Sequence, residues 1–311
     1  MTILADIGGT YARFSVAAGQ GPERIRKYKA GDFEGLEQAL QRYCEDEGLG
    51  SKGPLRVATA GYCDNGVWKF VNRNKWIIDP VAVMAQGWDL DVIINDFEAA
   101  TWALRTLGAV DISILKKAQG ASDSLCLLGP GTGLGLGYTH QNHVQKTHGG
   151  HIPVSALTGE QINIVQTVQK LKQQQTIAVF EDFVSGPGLC NIYTAFCLLN
   201  DKTVTIEAPE GLLDNADDAE VQNALRLFHE LLGLFACTAV VSGNAYGGLY
   251  LTGGVLERLV AAGLFDFEHF EKWFCVRAVD SVARDLNATP VCHITYPYPA
   301  LKGLLKCPKR I

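Results

Sequence analysis

An apolar strand, a glycine turn and a second strand occur twice in this chain, and that repeat limits the folds open to it. The first copy is TILADIGGTYARFSVAA (2–18) and the second is SLCLLGPGTGLGLGYTH (124–140). In the first, apolar residues lead to Asp6 and then to Gly8-Gly9-Thr10. Beyond the turn, Ala12, Phe14 and Val16 alternate with Arg13 and Ser15. Such alternation marks a half-buried strand. The second copy places Gly129-Pro130-Gly131-Thr132-Gly133 between its strands. A third apolar run, GGLYLTGGVLERLVAAGLF (247–265), reaches Gly253-Gly254 and passes into a helical pattern. Two hairpins of one plan predict an α/β protein of two related units facing each other across a cleft. A length of 311 residues accommodates two domains. Helices are predicted at 35–48, 97–108, 158–173, 187–200, 218–241, 255–264 and 268–286.

Net charge is −6 and no basic run precedes the last few residues, so nucleic acid finds no electrostatic footprint. The first residues lack the basic and apolar regions of a signal peptide. No stretch reads as long enough to span a bilayer; the nearest, 247–265, is interrupted by Glu257 and Arg258. Nine cysteines without paired spacing fit reduced thiols, and a cytoplasmic protein is expected.

Glycines let backbone N–H groups close around an anion, and a Thr adds a hydroxyl donor. One such turn alone is more often just a hairpin. Two of matching design, with Asp6 closing the first strand, favour phosphate binding. A P-loop is absent, and GPGTGLG is followed by a strand rather than the helix a dinucleotide site requires. Asp6 suits a hydrated Mg²⁺, which takes one or two carboxylates and keeps its waters; it equally suits a turn cap. Asp96 stands where a strand meets a helix. It reads either as an N-cap, with Glu98 supporting the first turn, or as a general base toward a hydroxyl attacking a phosphate.

Four of the seven histidines fall in THQNHVQKTHGGHIP (139–153). A two-residue turn at Gln141-Asn142 sets His140 opposite His143 and, by counting, His148 opposite Gly135. His143 and His148 would be about 16 Å apart along a strand, so one metal ion cannot gather all four.

The stretches DIGGTYARF, INDFEAA, GPGTGLGLG, HGGHIPV, FEDFVSGPGLCNIY, YLTGGV and PALKGL resemble, in this order and nearly end to end, the bacterial glucokinases, which are hexose kinases of the actin-like ATPase superfamily. The resemblance implies two ribonuclease-H-like domains around a central cleft that closes on sugar. The small domain would be 1–105 plus 293–311, and the large one 106–292. ATP and Mg²⁺ are the implied cofactors and a small sugar the implied partner, with no nucleic acid and no membrane; a homodimer is compatible. Carried over by position, Asp6, Gly8, Gly9 and Thr10 form the first phosphate loop, with Asp6 holding Mg²⁺ through water. Gly131, Thr132 and Gly133 form the second, and Gly253 and Gly254 line the adenosine site. Asp96 would be the base, taking the proton of the sugar 6-hydroxyl, and Asn95, His151 and Glu181 would bind the sugar.

Two positions depart from the family pattern. His148 stands where a Glu usually precedes GGH, and Tyr11 stands where the first loop usually has Asn. His148 puts a group that can donate where relatives offer a pure acceptor. The alternatives to a glucokinase are therefore a kinase for an acidic or amino hexose, a catalytically weak sugar sensor, or another phosphotransferase of the superfamily. Replacing His148 by Glu is expected to raise glucose turnover about tenfold, the scale of one hydrogen bond to an ionised partner. A coupled ADP-release assay reads this, and an unchanged or lower rate removes His148 from the determinants of sugar choice.

Overall fold

The computed structural model describes residues 1–311 except 20, 51, 71–74, 174–176 and 277–278. The chain divides into two compact units, residues 1–108 with 296–311, and residues 109–295.

The first unit runs β1 (Ile3–Ile7), β2 (Tyr11–Ala18), β3 (Gly21–Lys29), α1 (Leu36–Glu47), β4 (Pro54–Thr59), β5 (Tyr62–Asp64), β6 (Val67–Lys69), β7 (Ile77–Ile78), α2 (Pro80–Ala85), β8 (Asp89–Asn95) and α3 (Asp96–Ala103). Its main sheet has the order β3-β2-β1-β4-β8, and β5–β7 form a small sheet apart. β1 to β3 are an antiparallel meander, and β4 and β8 add parallel to β1. All five residues of β1 are buried. That is the reading expected of a strand covered on both faces. Ala5, Phe14 and Val16 pack with Leu36, Leu40 and Tyr43 of α1. On the opposite face Leu4, Ala58, Val92 and Ile94 meet Ala99 of α3.

The second unit runs β9 (Ile112–Lys116), β10 (Ser124–Pro130), β11 (Leu134–His140), β12 (His143–Lys146), α4 (Gly159–Leu171), α5 (Gly186–Leu199), α6 (Pro209–Asp214), α7 (Ala219–Ser242), β13 (Gly248–Leu251), α8 (Gly254–Ala261), α9 (Phe267–Phe274), α10 (Asp280–Asn287) and β14 (Val291–Ile294). Its sheet order is β12-β11-β10-β13-β14-β9. A meander followed by two parallel strands repeats the plan of the first unit, with β9 added antiparallel at the far edge. The chain then returns to the first unit in α11 (Pro299–Leu304). His293 and Ile294 lie on β14, whose ladders to β13 and β9 hold them in the second unit.

Two readings of the sequence are corrected. The helix expected over 268–286 is two helices, α9 and α10, and residues 277–278 between them lie outside the described residues. Apolar spacing at helical period continues across both, so periodicity alone hid the break. The stretch nearest to a membrane span in length and composition is α7 rather than 247–265, and 83% of its apolar window is buried inside the unit. There α7 is a core helix, with Leu227, Phe228, Leu231, Leu232 and Phe235 fully buried. Its polar residues are accounted for too: Glu230 accepts from Gln161 (2.7 Å) and Arg226 (2.7 Å), and the His229 ring lies 2.6 Å from the Leu225 carbonyl.

α11 and α3 touch backbone to backbone. A Cβ built on Gly303 would lie 1.7 Å from the carbonyl oxygen of Ala99 and 3.0 Å from the nitrogen of Ala103. Both contacts are main chain, so relief requires the helices to separate. Gly303→Ala is expected to cost about 3 kcal/mol, the upper end of overpacking in a close-packed core. Urea denaturation reads the loss, and an unchanged midpoint contradicts the tight crossing.

Candidate active site

In the first unit, three parallel strands end side by side. Ile7 pairs with Thr59, and Thr59 with Asn95. The carboxyl ends of parallel strands are where α/β sheets bind ligands. Asp6 lies one residue before the end of β1. Its Oδ2 is 3.1 Å from Nη1 of Arg13, its antiparallel partner across the Gly8–Thr10 turn. That turn is closed by Gly8 N–H donating to the Tyr11 carbonyl at 2.9 Å. Burial raises the Asp6 carboxyl above the usual range, and the Arg13 charge opposes the rise.

Asn95 and Asp96 follow on β8. The cap of α3 is Asn95, whose Oδ1 accepts from Phe97 N–H (3.0 Å) and Glu98 N–H (3.2 Å). The capping role considered for Asp96 therefore falls one residue earlier, and Asp96 is the first helical residue. Its Oδ1 accepts from Phe97 N–H at 2.8 Å. Burial pushes Asp96 up to about 6, and the nearby Asp6 charge adds to the rise. The Phe97 N–H and Arg13 oppose it.

In the second unit, the Gly131–Gly133 turn joins β10 to β11, with Gly131 N–H donating to the Gly133 carbonyl at 2.8 Å. The neighbouring segments crowd it. Gly186 N–H, at the start of α5, donates to the Gly131 carbonyl at 2.8 Å. Leu134 N–H donates to Oε2 of Glu181 at 2.7 Å. A Cβ on Gly133 would lie 2.7 Å from that same oxygen. Gly253 has φ 105°, a conformation that only glycine adopts freely, and a Cβ there would meet the Pro130 carbonyl at 2.5 Å. Gly254 opens α8 beside it. Ser185 caps α5, its Oγ accepting from Gly188 N–H (2.9 Å) and donating to the Glu181 carbonyl (2.8 Å).

The histidines separate into two pairs. His140 and His143 pair across the turn as counted, and His140 Nδ1 lies 3.0 Å from Ser124 Oγ. His148 is not in register with Gly135, because β12 stops at Lys146 and Thr147 turns its Oγ1 back onto the Leu136 carbonyl at 2.7 Å. His148 and His151 bracket a short turn instead, with His151 N–H donating to the His148 carbonyl (2.9 Å) and ring centroids 6.4 Å apart. Phe180 N–H donates to the Ile152 carbonyl at 3.0 Å, which lays this turn beside the Glu181 segment. Among the described residues no group of three His, Cys, Asp or Glu is placed to hold a metal ion.

The first unit thus brings together Asp6, Gly8, Gly9, Thr10, Asn95 and Asp96. The second brings together Gly131, Thr132, Gly133, His148, His151, Glu181, Gly253 and Gly254. Reading the sequence missed Arg13 as the counter-ion of Asp6. The signal was available in the hairpin, since residues flanking a short turn at mirrored positions face each other.

The twinned sheets are those of the actin-like ATPase fold, to which sugar kinases belong. The chain belongs to the glucokinase family: the Glucokinase family model matches residues 3–310. It is 30% identical to the glucokinase of Saccharophagus degradans over 97% of this chain and 96% of that one. The crystal structure of a glucokinase from an Antarctic psychrotroph superposes with a TM-score of 0.85 at 24% identity, covering 98% of both chains. A glucokinase of the ROK family from Streptomyces griseus, in complex with glucose and AMPPNP, superposes at 0.63 with 19% identity, over 97% of each chain. Family membership makes this chain an ATP-dependent hexose kinase.

The raised Asp96 sets a pH dependence of stability. Below the unfolded value near 4, the carboxyl is protonated in both states and costs nothing. Between about 4 and 6 the folded state holds the proton more tightly, so stability falls as pH rises, and above about 6 the full penalty stands. Asn mimics the protonated form. Asp96→Asn is expected to melt at the parental temperature at pH 4 and above it at pH 7.5. Equal melting temperatures at both pH values contradict the raised carboxyl.

Proposed function

We propose that this chain transfers the γ-phosphoryl group of ATP to the 6-hydroxyl of glucose, with Asp96 as the general base. The observation that carries the reading is the placement of Asp96, a carboxylate pushed up to about 6 at the end of β8, beside the first glycine turn. A base with that affinity is ionised at neutral pH and still accepts a proton readily. The N–H groups of Gly9 and Thr10, and of Thr132 and Gly133, would cradle the donor phosphates, those of Gly8 and Gly131 closing their own turns, and Gly254, where a Cβ would meet nothing, would leave room for the adenosine beside Gly253.

Asn95 spends its oxygen on the helix cap, leaving its amide N–H groups to donate to the sugar. Glu181 gives Oε2 to Leu134 N–H, which fixes the carboxylate and frees Oε1 to accept from a sugar hydroxyl. His148 and His151 add imidazole donors or acceptors from the adjacent turn. Asp6 is a buried carboxylate paired with Arg13, which suits Mg²⁺ held through water and shared with phosphates. Magnesium, when bound with ATP, would neutralise phosphate charge during transfer. Arg13 opposes the rise that burial gives Asp6, and its charge also acts against the rise of Asp96. The chemistry needs positioning and charge neutralisation more than covalent participation.

The same residues speak against a silent sensor, which has no use for a base at the sugar hydroxyl. A coupled ADP-release assay across neutral, acidic and amino hexoses is expected to show turnover with glucose. The base must be ionised, so kcat/KM is expected to fall about tenfold per unit below pH 6 and to level off above it. Asp96→Asn is expected to lose about 10²- to 10⁴-fold. Binding of sugar without turnover on any of them would overturn the reading.

A further inference from the structure

The helix that begins at Asp96 is held from outside its own sequence. Glu98, in its first turn, is 4% exposed, and its Oε1 lies 2.6 Å from Nη1 of Arg310. The backbone N–H groups of Arg310 and Ile311 donate to the Asp91 carbonyl on β8 at 3.0 and 3.3 Å. β8 is the edge strand of the first sheet, so these bonds occupy an edge that would otherwise lie open. Lys309 Nζ is 2.5 Å from Oδ1 of Asp91, whose Oδ2 is 3.3 Å from Nε of Arg56. Arg56 Nη1 donates in turn to the carbonyls of Leu304 (2.7 Å) and Cys307 (3.0 Å), where α11 ends. Arg56, Lys309 and Arg310 thus tie the segment after α11 to two buried carboxylates, one on β8 and one on α3.

We propose that residues 309–311 form a strap that sets the position of Asp96, and that Arg310 is a positioning residue for the proton transfer. The inference rests on Asp96 being the base. Asp96 and Asn95 are anchored within their own turn: among the described residues, their side chains accept from Phe97 N–H and Glu98 N–H. Both side chains therefore follow that turn wherever it goes. Without Arg310, Glu98 is an unpaired buried carboxylate, and relief requires the turn to shift toward water. Glu98 is two residues from Asp96, so the base moves with it. Proton transfer tolerates little displacement, since a shift of about 1 Å is enough to cost orders of magnitude. The glycine turns proposed for the ATP phosphates lie on other segments, so donor binding stays as it was.

The test compares Arg310→Ala, Arg310→Gln and Arg310→Lys in the full chain, with folded fraction checked by circular dichroism at the assay temperature. In folded Arg310→Ala, kcat is expected to fall about tenfold or more while KM for ATP stays within about twofold of the parent. Arg310→Lys restores the charge and returns kcat to near the parental value. Adding Glu98→Gln to Arg310→Ala recovers much of the loss, because no buried charge is left unpaired. A folded Arg310→Ala with parental kcat overturns the proposal, as does a loss that neither Lys nor the added Glu98→Gln relieves. If Arg310→Ala does not fold, Arg310→Gln carries the same test, and parental kcat there overturns it. Full activity in Asp96→Asn overturns the base assignment instead, whatever Arg310 does.

Discussion

The first unit depends on one contact that leaves no slack, the crossing of α11 over α3 at Gly303 and Ala99. Main chain meets main chain there, and no side chain lies between to adjust. The crossing brings the end of α11 against the sheet face formed by Leu4, Ala58, Val92 and Ile94. It also fixes where the following residues run, along β8 and past the first turn of α3. A larger residue at 303 would disturb more than packing, since the direction of α3 sets where Asn95 and Asp96 stand.

Electrostatics in this unit follow from how few charges are allowed inside and how each is answered. Asp6 has Arg13, Asp91 has Arg56 and Lys309, and Glu98 has Arg310. Among the described residues no cation pairs with Asp96, and burial with the neighbouring Asp6 charge raises it. The ion pairs fix the other three carboxylates in place, although burial still raises Asp6. A carboxylate held by its own helix and short of positive charge is able to take a proton. The contrast among these four acidic groups of the first unit singles out Asp96 more sharply than its position in the sequence did.

The glycine hairpins and the strand–helix junction at Asp96 were legible because their signals are local: alternation, turn residues and a carboxylate at a strand end. The doubled sheet was legible for the same reason, as each copy starts with its own hairpin. What could not be read depends on register or on distance along the chain. The Asp6–Arg13 pair requires knowing which residues face each other across a turn. The ties of Arg56 to Leu304 and of Arg310 to Glu98 join the two ends of the sequence; Arg56 and Leu304 stand 248 positions apart. Six-residue helices such as α2, α6 and α11 are too short to establish a period. α9 and α10 share one period across a break, and so read as one helix. His148 left its ladder because Thr147 found a better bond in the Leu136 carbonyl, a competition that counting residues does not reveal.

A unit made from residues 1–108 and 296–311 has a consequence for its synthesis. Chains are made from the amino end, and domains generally form as they emerge. Here β1 to β8 emerge first but lack α11 and the cations that answer Glu98 and Asp91. The second unit, by contrast, is a continuous run and can complete itself while the first waits. The half-made first sheet must therefore stay open, with an unpaired edge at β8, for as long as the ribosome takes to add the intervening residues. Such an edge is free to pair with other chains, and a chain cut short before residue 296 would hold all of the second unit but lack α11 and the cations that complete the first.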